Sequence, residues 1–467
     1  MKYIPRKLAG ELQAAARHFP ALLLTGPRRA GKTTLLRHAF PKASHVLLED
    51  PDVVARAQAD PHSFLDACLR PVILDEIQNV PALFNYIRSR IDAQPQRKGQ
   101  WLLTGSQEAP LMRGVTESMA GRIAVFQLLP LALAESPKVS LLHGGFPEVL
   151  VHPAAAEVWF RSYLQTYLER DVRAVSHLRD LPTYRRFLAL LATRIGQMLN
   201  KTDLAAPLGV SIPTITEWLN ILELTGQILL LPPFYENFGR RLVKSPKVYF
   251  ADSGLACHLL GISTMPDLNR SPFLGPLFEG FVAAEIAKHR LNAGLARNLF
   301  YFRDRQGLEV DFVVELANRQ LVLLEVKATR TPMPADTFAL ARLAGSIKNR
   351  STAAWLLHRG TTHLTALAPD IRPVTLAQLP EILAPPPRQQ YPCSRGRENA
   401  ASACDNSRLP EKVVTTSKPV NFRLHFQDGS MWLMLMAVAA GGRVLNLPFG
   451  YWRVGVRKFS LLRLLVG

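Results

Sequence analysis

At 467 residues the chain exceeds what one hydrophobic core can organise, since single cores stop growing at roughly 250–300 residues. Nearly half of it is apolar, which excludes a wholly disordered protein, and its formal charge of +19 favours a polyanionic partner such as nucleic acid or an anionic membrane face. Cys68, Cys257, Cys393 and Cys404 lack CxxC spacing, which argues against a disulfide framework or a structural zinc site and fits a reducing cytosol.

The N-terminus has no secretory signal, and no apolar run reaches the roughly 18 residues of a spanning helix; the segment 431–442 comes nearest and is short. The expectation is a soluble, cytoplasmic protein with no membrane span. Residues 21–24 form an apolar run of strand type, followed by a glycine-containing loop and then by an unbroken helical stretch over 33–38. Further strand-like runs at 46–48, 72–74 and 101–103 alternate with helical stretches, so residues 1–150 are expected to be an α/β domain with a parallel sheet.

Between the first strand and its helix, Gly26-Pro27-Arg28-Arg29-Ala30-Gly31-Lys32-Thr33 satisfies G-x-x-x-x-G-K-[ST]. Glycines let the backbone curl around phosphates, Lys32 reaches the β and γ phosphates, Thr33 coordinates Mg2+, and Thr34 is placed for the α phosphate. An exposed lysine on a glycine turn is the bland alternative. Against it stands a second motif: residues 72–74 run apolar into Asp75 and Glu76, the first suited to hold the metal's water shell and the second to polarise an attacking water. Thr104 and Ser106, after the strand at 101–103, are candidates for a polar contact between γ-phosphate and water; a simple turn explains them equally. Arg122, after Gly121, is a candidate for stabilising the transferred phosphoryl group, in its own subunit or a neighbour's, with a surface arginine as the commoner explanation.

From 151 to 240 the pattern turns helical, with Trp159, Tyr163, Thr166 and Tyr167 at i, i+4, i+7 and i+8. Thr202 to Ala205, Gly209 and a second helix from Ser211 read as a helix-turn-helix, and 228–232 as a wing, giving a winged-helix-like middle. That second helix carries Glu217 and Glu223 and no lysine or arginine, which favours a protein contact over a DNA groove. From 241 to 384, strand-like runs at 248–250, 310–314, 321–326 and 353–357 and a helix across 276–289 predict a second α/β domain. Residues 385–467 carry +8 of the net charge and open on a Pro-, Ser-, Asn- and Arg-rich stretch, expected to be a disordered basic tail.

The loop, Leu74-Asp75-Glu76-Ile77-Gln78, Leu103-Thr104-Gly105-Ser106, Ala120-Gly121-Arg122, Leu129-Pro130-Leu131, Gly144-Gly145-Phe146-Pro147-Glu148 and Tyr167-Leu168-Glu169-Arg170-Asp171 together resemble bacterial and archaeal AAA-type ATPases whose P-loop N-terminal domain precedes a C-terminal domain of unknown function. The resemblance spans about residues 4–383 and implies ATP and Mg2+ as ligands. In the C-terminal part, Asp311 on one strand followed by Glu325 and Lys327 in E-x-K on the next resembles a restriction-endonuclease-like core. Period-two alternation puts Glu325 and Lys327 on one strand face, so Asp311 and Glu325 could grip Mg2+ while Lys327 activates water; Glu279 is a candidate further ligand. Alternating charges on a β-meander are the bland alternative. Three functional readings follow: an ATPase that repositions its C-terminal domains on a nucleic-acid or protein partner, as a monomer or homo-oligomer; an ATP-regulated Mg2+-dependent DNA nuclease; and a nucleotide-gated scaffold with little turnover.

Overall fold

The short apolar runs of the first domain become strands: β1 (Ala21–Thr25), β2 (Ser44–Leu47), β3 (Val72–Asp75), β4 (Trp101–Thr104) and β5 (Ile123–Gln127). They pair in parallel in the order β2-β3-β4-β1-β5. Every residue of β1, β3 and β4 is buried because helices cover both faces, and period-two alternation splits the side chains between two cores. Leu23, Leu74 and Leu103 join Phe84 and Ile87 of helix Leu83–Ala93 on one side. Leu22, Ile73 and Leu102 join Leu8, Leu12 and Leu35 on the other. The computed structural model describes residues 3–105, 118–168, 181–234, 245–360 and 367–384, and the strands at 422–427 and 430–435.

The middle region contains helix Lys201–Ala205, a 3-10 turn ending at Gly209 (φ 66°), and helix Ile212–Leu224, whose first turn is capped by the Ser211 hydroxyl accepting from Thr214 N at 3.3 Å. Strand β6 (Ile228–Leu231) then pairs antiparallel with β7 (Lys247–Phe250). The second sheet has five strands, β8 (Leu299–Arg303), β9 (Glu309–Glu315), β10 (Leu321–Lys327), β11 (Thr352–His358) and β12 (Ile371–Thr375), in the order β12-β11-β10-β9-β8. It is mixed: β8, β9 and β10 pair antiparallel, and β10, β11 and β12 pair parallel. The 19-residue helix Leu274–Asn292 overruns the expected span at both ends and packs on β7 and β10.

One continuous core joins Tyr184, Trp218, Tyr249, Phe278, Phe312 and Leu357, so the boundary expected near residue 240 falls inside shared packing. Beyond residue 388 a separate unit contains β13 (Phe422–Gln427) and β14 (Ser430–Leu435), an antiparallel pair within the stretch expected to be disordered. Compositional bias near residue 385 had outweighed the alternation of Phe422, Leu424 and Phe426, which is a strand signal. Among the described residues, Cys68 and Cys257 are free and buried, and no helix is long and apolar enough to cross a membrane.

Candidate active site

Because β1, β3 and β4 run parallel, their carboxyl ends open on one edge, where ligands of such sheets collect. The loop 26–31 leaves β1 at that edge. Gly26 sits at φ 136° with Leu128 O so close that any Cβ would collide, and Gly31 at φ 94° is the N-cap of helix Lys32–Ala39. Both are conformations that side-chain-bearing residues avoid, so the two fixed glycines of the pattern have physical causes. Arg29 also adopts a positive φ, 63°. Behind the loop, buried Arg6 donates to Ala30 O at 2.9 Å and Leu129 O at 2.7 Å and pairs with Glu135 at 3.1 Å.

Lys32 Nζ donates to the loop's own carbonyls, Gly26 O at 3.1 Å and Pro27 O at 3.2 Å. Thr33 Oγ1 donates to Asp75 Oδ2 at 2.8 Å, Thr104 Oγ1 donates to Asp75 Oδ1, and Glu76 N donates to Thr104 Oγ1 at 3.1 Å. His45 Nε2 lies 3.5 Å from Asp75 Oδ2. Glu76, the residue after β3, sits in the left-handed region (φ 58°, ψ 50°), a conformation of order 1–3 kcal/mol above the usual ones that must be over-determined by its surroundings. Its carboxylate accepts from Gln78 Nε2 and lies 3.8 Å from Arg28 Nη1, which also reaches Glu49 at 3.4 Å.

These groups line a cavity of about 400 Å³ that includes Arg29, Lys32, Thr33, Asp75, Glu76 and Glu148. Thr34 and Gly31 also line a second cavity of about 400 Å³, walled by Tyr3, Ile4, His38, Leu131 and Pro147. There Tyr3 stacks on His38 with ring centroids 3.7 Å apart and planes 8° apart. Glu148 accepts from Trp159 Nε1 at 2.7 Å and pairs with Arg29 at 3.2 Å. On the far side of the loop, Tyr163 donates to Arg28 O at 3.4 Å and accepts from Gln227 Nε2 at 2.8 Å, both side chains buried. Arg6, His45, Glu49, Tyr163 and Gln227 carried no sequence signal, because each reaches the site from a distant segment.

One nominated group is not in this cluster. Arg122 precedes β5 at Ile123, which pairs with Ala21 at the opposite end of the sheet from the loop, and its guanidinium grips Asp92 at 2.6 and 3.1 Å. Roughly 13 Å of strand therefore separates it from the site of its own chain. Ser106 lies outside the described residues.

The C-terminal candidates do meet. Asp311 accepts from Val326 N at 2.8 Å, and Lys327 Nζ donates to Glu325 Oε1 at 2.9 Å. A residue that the sequence reading missed sits among them: Lys247 of β7, its side chain 3% exposed, lies 2.6 Å from Glu309, 3.1 Å from Glu279 and 3.7 Å from Asp311. Tyr249 donates to Glu279 as well. Burial, then the Asp311 charge, pushes the Glu279 carboxyl up to about 7 and that of Glu325 up to about 8. For Lys247 burial acts downward, but Glu279, Asp311 and Glu309 outweigh it and hold the ammonium above its ordinary range. Among the described residues no three His, Cys, Asp or Glu side chains converge to hold a metal ion.

Comparison with known proteins agrees with the N-terminal geometry. A family described as an AAA domain matches residues 18–136, and two described as domains of unknown function, DUF8612 and DUF4143, match 135–265 and 274–376. Uncharacterized proteins of Mycobacterium bovis and Mycobacterium tuberculosis are each 34% identical over 335 residues, covering 70% of this chain and 74% of theirs. Among solved structures, a Walker-type ATPase of Pyrococcus abyssi is 16% identical (TM-score 0.37; 54% of this chain, 94% of that one). The ORC1 protein of Aeropyrum pernix in complex with DNA is also 16% identical (TM-score 0.23; 58% and 96%). Similarities that low carry no argument by themselves. The chain belongs to the family of the two mycobacterial proteins, and it carries an AAA domain at its N-terminal end and a DUF4143 domain in its C-terminal part.

Proposed function

We propose that the protein binds ATP with Mg2+ at the loop 26–31 and hydrolyses it. The observation that carries this reading is the hydrogen-bonded string Thr33–Asp75–Thr104–Glu76, built under the glycine loop where the parallel strands end. Lys32 donates to the carbonyls of Gly26 and Pro27 at the wall of the cavity, where its ammonium is within reach of β- and γ-phosphate oxygens that carry full charge. The Thr33 hydroxyl and Asp75 carboxylate are hard oxygen ligands already in contact, as a Mg2+ site requires; the ion would neutralise charge on the β and γ phosphates. Glu76 accepts the proton of the attacking water as its oxygen bonds to the γ phosphorus and the bond to the ADP oxygen breaks. Thr104 holds Asp75 and the Glu76 backbone in register. The Tyr3–His38 cavity beside Thr34 suits the base and sugar, with the stacked rings as its wall.

Turnover repositions the C-terminal part on a protein or nucleic-acid partner. Support comes from the buried Arg28–Tyr163–Gln227 contacts, which tie the phosphate loop to the start of β6. The two helices at 201–224 with β6 and β7 suit a winged-helix-like region, and Asp311, Glu325 and Lys327 on adjacent strands suit a restriction-endonuclease-like core. Arg122, remote from the nucleotide of its own chain, is a candidate only for a neighbouring subunit in a homo-oligomer. A scaffold with little turnover is favoured by one observation, the engagement of Glu76 by Gln78 and Arg28.

Phosphate release by the full chain and by Glu76→Gln, with nucleotide binding measured in parallel, tests the reading. Turnover lost in the variant with ATP binding retained supports hydrolysis; tight binding without release in the parent supports the scaffold.

A further inference from the structure

The resemblance of the second sheet to an endonuclease-like core implies a divalent ion among Glu279, Asp311 and Glu325. The residues present do not fit one. Four carboxylates meet there, Glu279, Glu309, Asp311 and Glu325, yet no three acidic side chains among the described residues converge on a common point. The centre of the group is taken by Lys247, whose ammonium is within 3.7 Å of three of the four. We propose that Lys247 is the permanent cation of this cluster, standing where an endonuclease-like core would hold its metal, so that the second sheet is a contact domain and does not cut DNA.

Three features beyond proximity support the assignment. Lys247 comes from β7, a strand of the small antiparallel pair outside the second sheet, so the cation is delivered by a different element from its carboxylates. Its ammonium is wrapped as a fixed group: the side chain is 3% exposed, the Tyr301 ring faces it at 5.6 Å, and Tyr249 shares its Glu279 partner. A covalently tethered cation cannot be washed out or exchanged, and its charge repels a divalent ion from the same carboxylates. The residual polar demand lies at the other end, where Lys327 satisfies Glu325 Oε1 and buried Glu325 Oε2 has no hydrogen-bond partner among the described residues. With its carboxyl pushed up to about 8, that oxygen is met at neutral pH by a proton. The cluster is thus balanced by lysines and a proton, without a metal.

The inference does not rest on ATP turnover, and its test avoids nucleotide. The full chain carrying Asp75→Asn, which removes the carboxylate of the phosphate-loop site, is titrated with Mn2+ alone, and free Mn2+ is read by electron paramagnetic resonance. The expected result is no bound ion with Lys247 intact at sub-millimolar Mn2+, one bound ion after Lys247→Met, and loss of that ion on adding Asp311→Asn. One Mn2+ bound with Lys247 intact and released by Asp311→Asn would overturn the proposal, and so would a folded Lys247→Met chain that gains none. Should Lys247→Met not fold, the Lys247-intact arm and a plasmid assay decide: supercoiled DNA left uncut in Mg2+ or Mn2+ agrees, and nicking abolished by Lys327→Ala overturns it.

Discussion

Lys32 and Lys247 are both almost fully buried and both belong to groups that include carboxylates, yet their surroundings differ. Lys32 rests on two carbonyls in a wall of an open cavity of about 400 Å³. Lys247 rests on full negative charges in a closed cluster. Lys32 faces a cavity that an anion can enter, whereas Lys247 is enclosed by carboxylates as their counter-ion. Access from a cavity, more than the residue or its burial, separates a binding group from a structural one.

The largest effect that would break this contrast lies in the rate. Glu76→Gln removes the proton acceptor without removing bulk and should lower kcat by about 10²–10⁴-fold with KM little changed, measured by steady-state phosphate release. Stability comes next: Lys247→Ala leaves carboxylates buried without their cation and should cost about 3–5 kcal/mol, read as a lowered denaturation midpoint. A smaller effect is expected from Tyr163→Phe, which strips the partner of the buried Gln227 amide and should cost about 1–3 kcal/mol while leaving Lys32 in place; equilibrium unfolding with and without ATP measures it.

The last is a pH dependence. The Glu325 carboxyl, raised to about 8 in the fold against 4.5 unfolded, stays protonated in the folded chain while the unfolded chain ionises. Its contribution to stability is therefore complete below about 4.5 and declines as pH rises toward 8. Glu325→Gln, which cannot ionise, should match the parent at pH 5 and exceed it by a few degrees in melting temperature at pH 8. An unchanged difference across that range would show that Glu325 is ionised throughout.

What was legible in the sequence was local. The loop, β1, β3 and β4 are contiguous apolar runs ending in glycines or carboxylates, so pattern and chemistry coincide within a dozen residues. Strands β5 and β12 were missed for reasons visible in the fold: both are edge strands, β5 only half-buried, and β12 contains Pro373, a residue that strands tolerate mainly at an edge. Of the site, Lys32, Thr33, Asp75, Glu76 and Thr104 come from the loop and the strand ends that the sequence pattern marks. Arg6 reaches Leu129 across 123 positions, Tyr163 meets Gln227 across 64, and Lys247 meets Glu279 across 32; no spacing rule encodes such contacts. Periodicity found the helix that carries Glu279 and the run at 248–250 found the strand, but neither encodes that Lys247 at the strand's start reaches that helix.

That helix, Leu274–Asn292, is a rod of about 28 Å. Near its start Glu279 holds Lys247; about 9 Å further along, Glu285 accepts from Leu133 N at 2.8 Å and Lys288 donates to Leu131 O at 3.0 Å. Those two backbone groups lie just past Leu129, whose carbonyl shares the Arg6 guanidinium with Ala30 of the phosphate loop. A helix held at both places fixes the distance between the segment behind the phosphate loop and the acidic cluster of the second sheet, because its rise per residue is constant at about 1.5 Å.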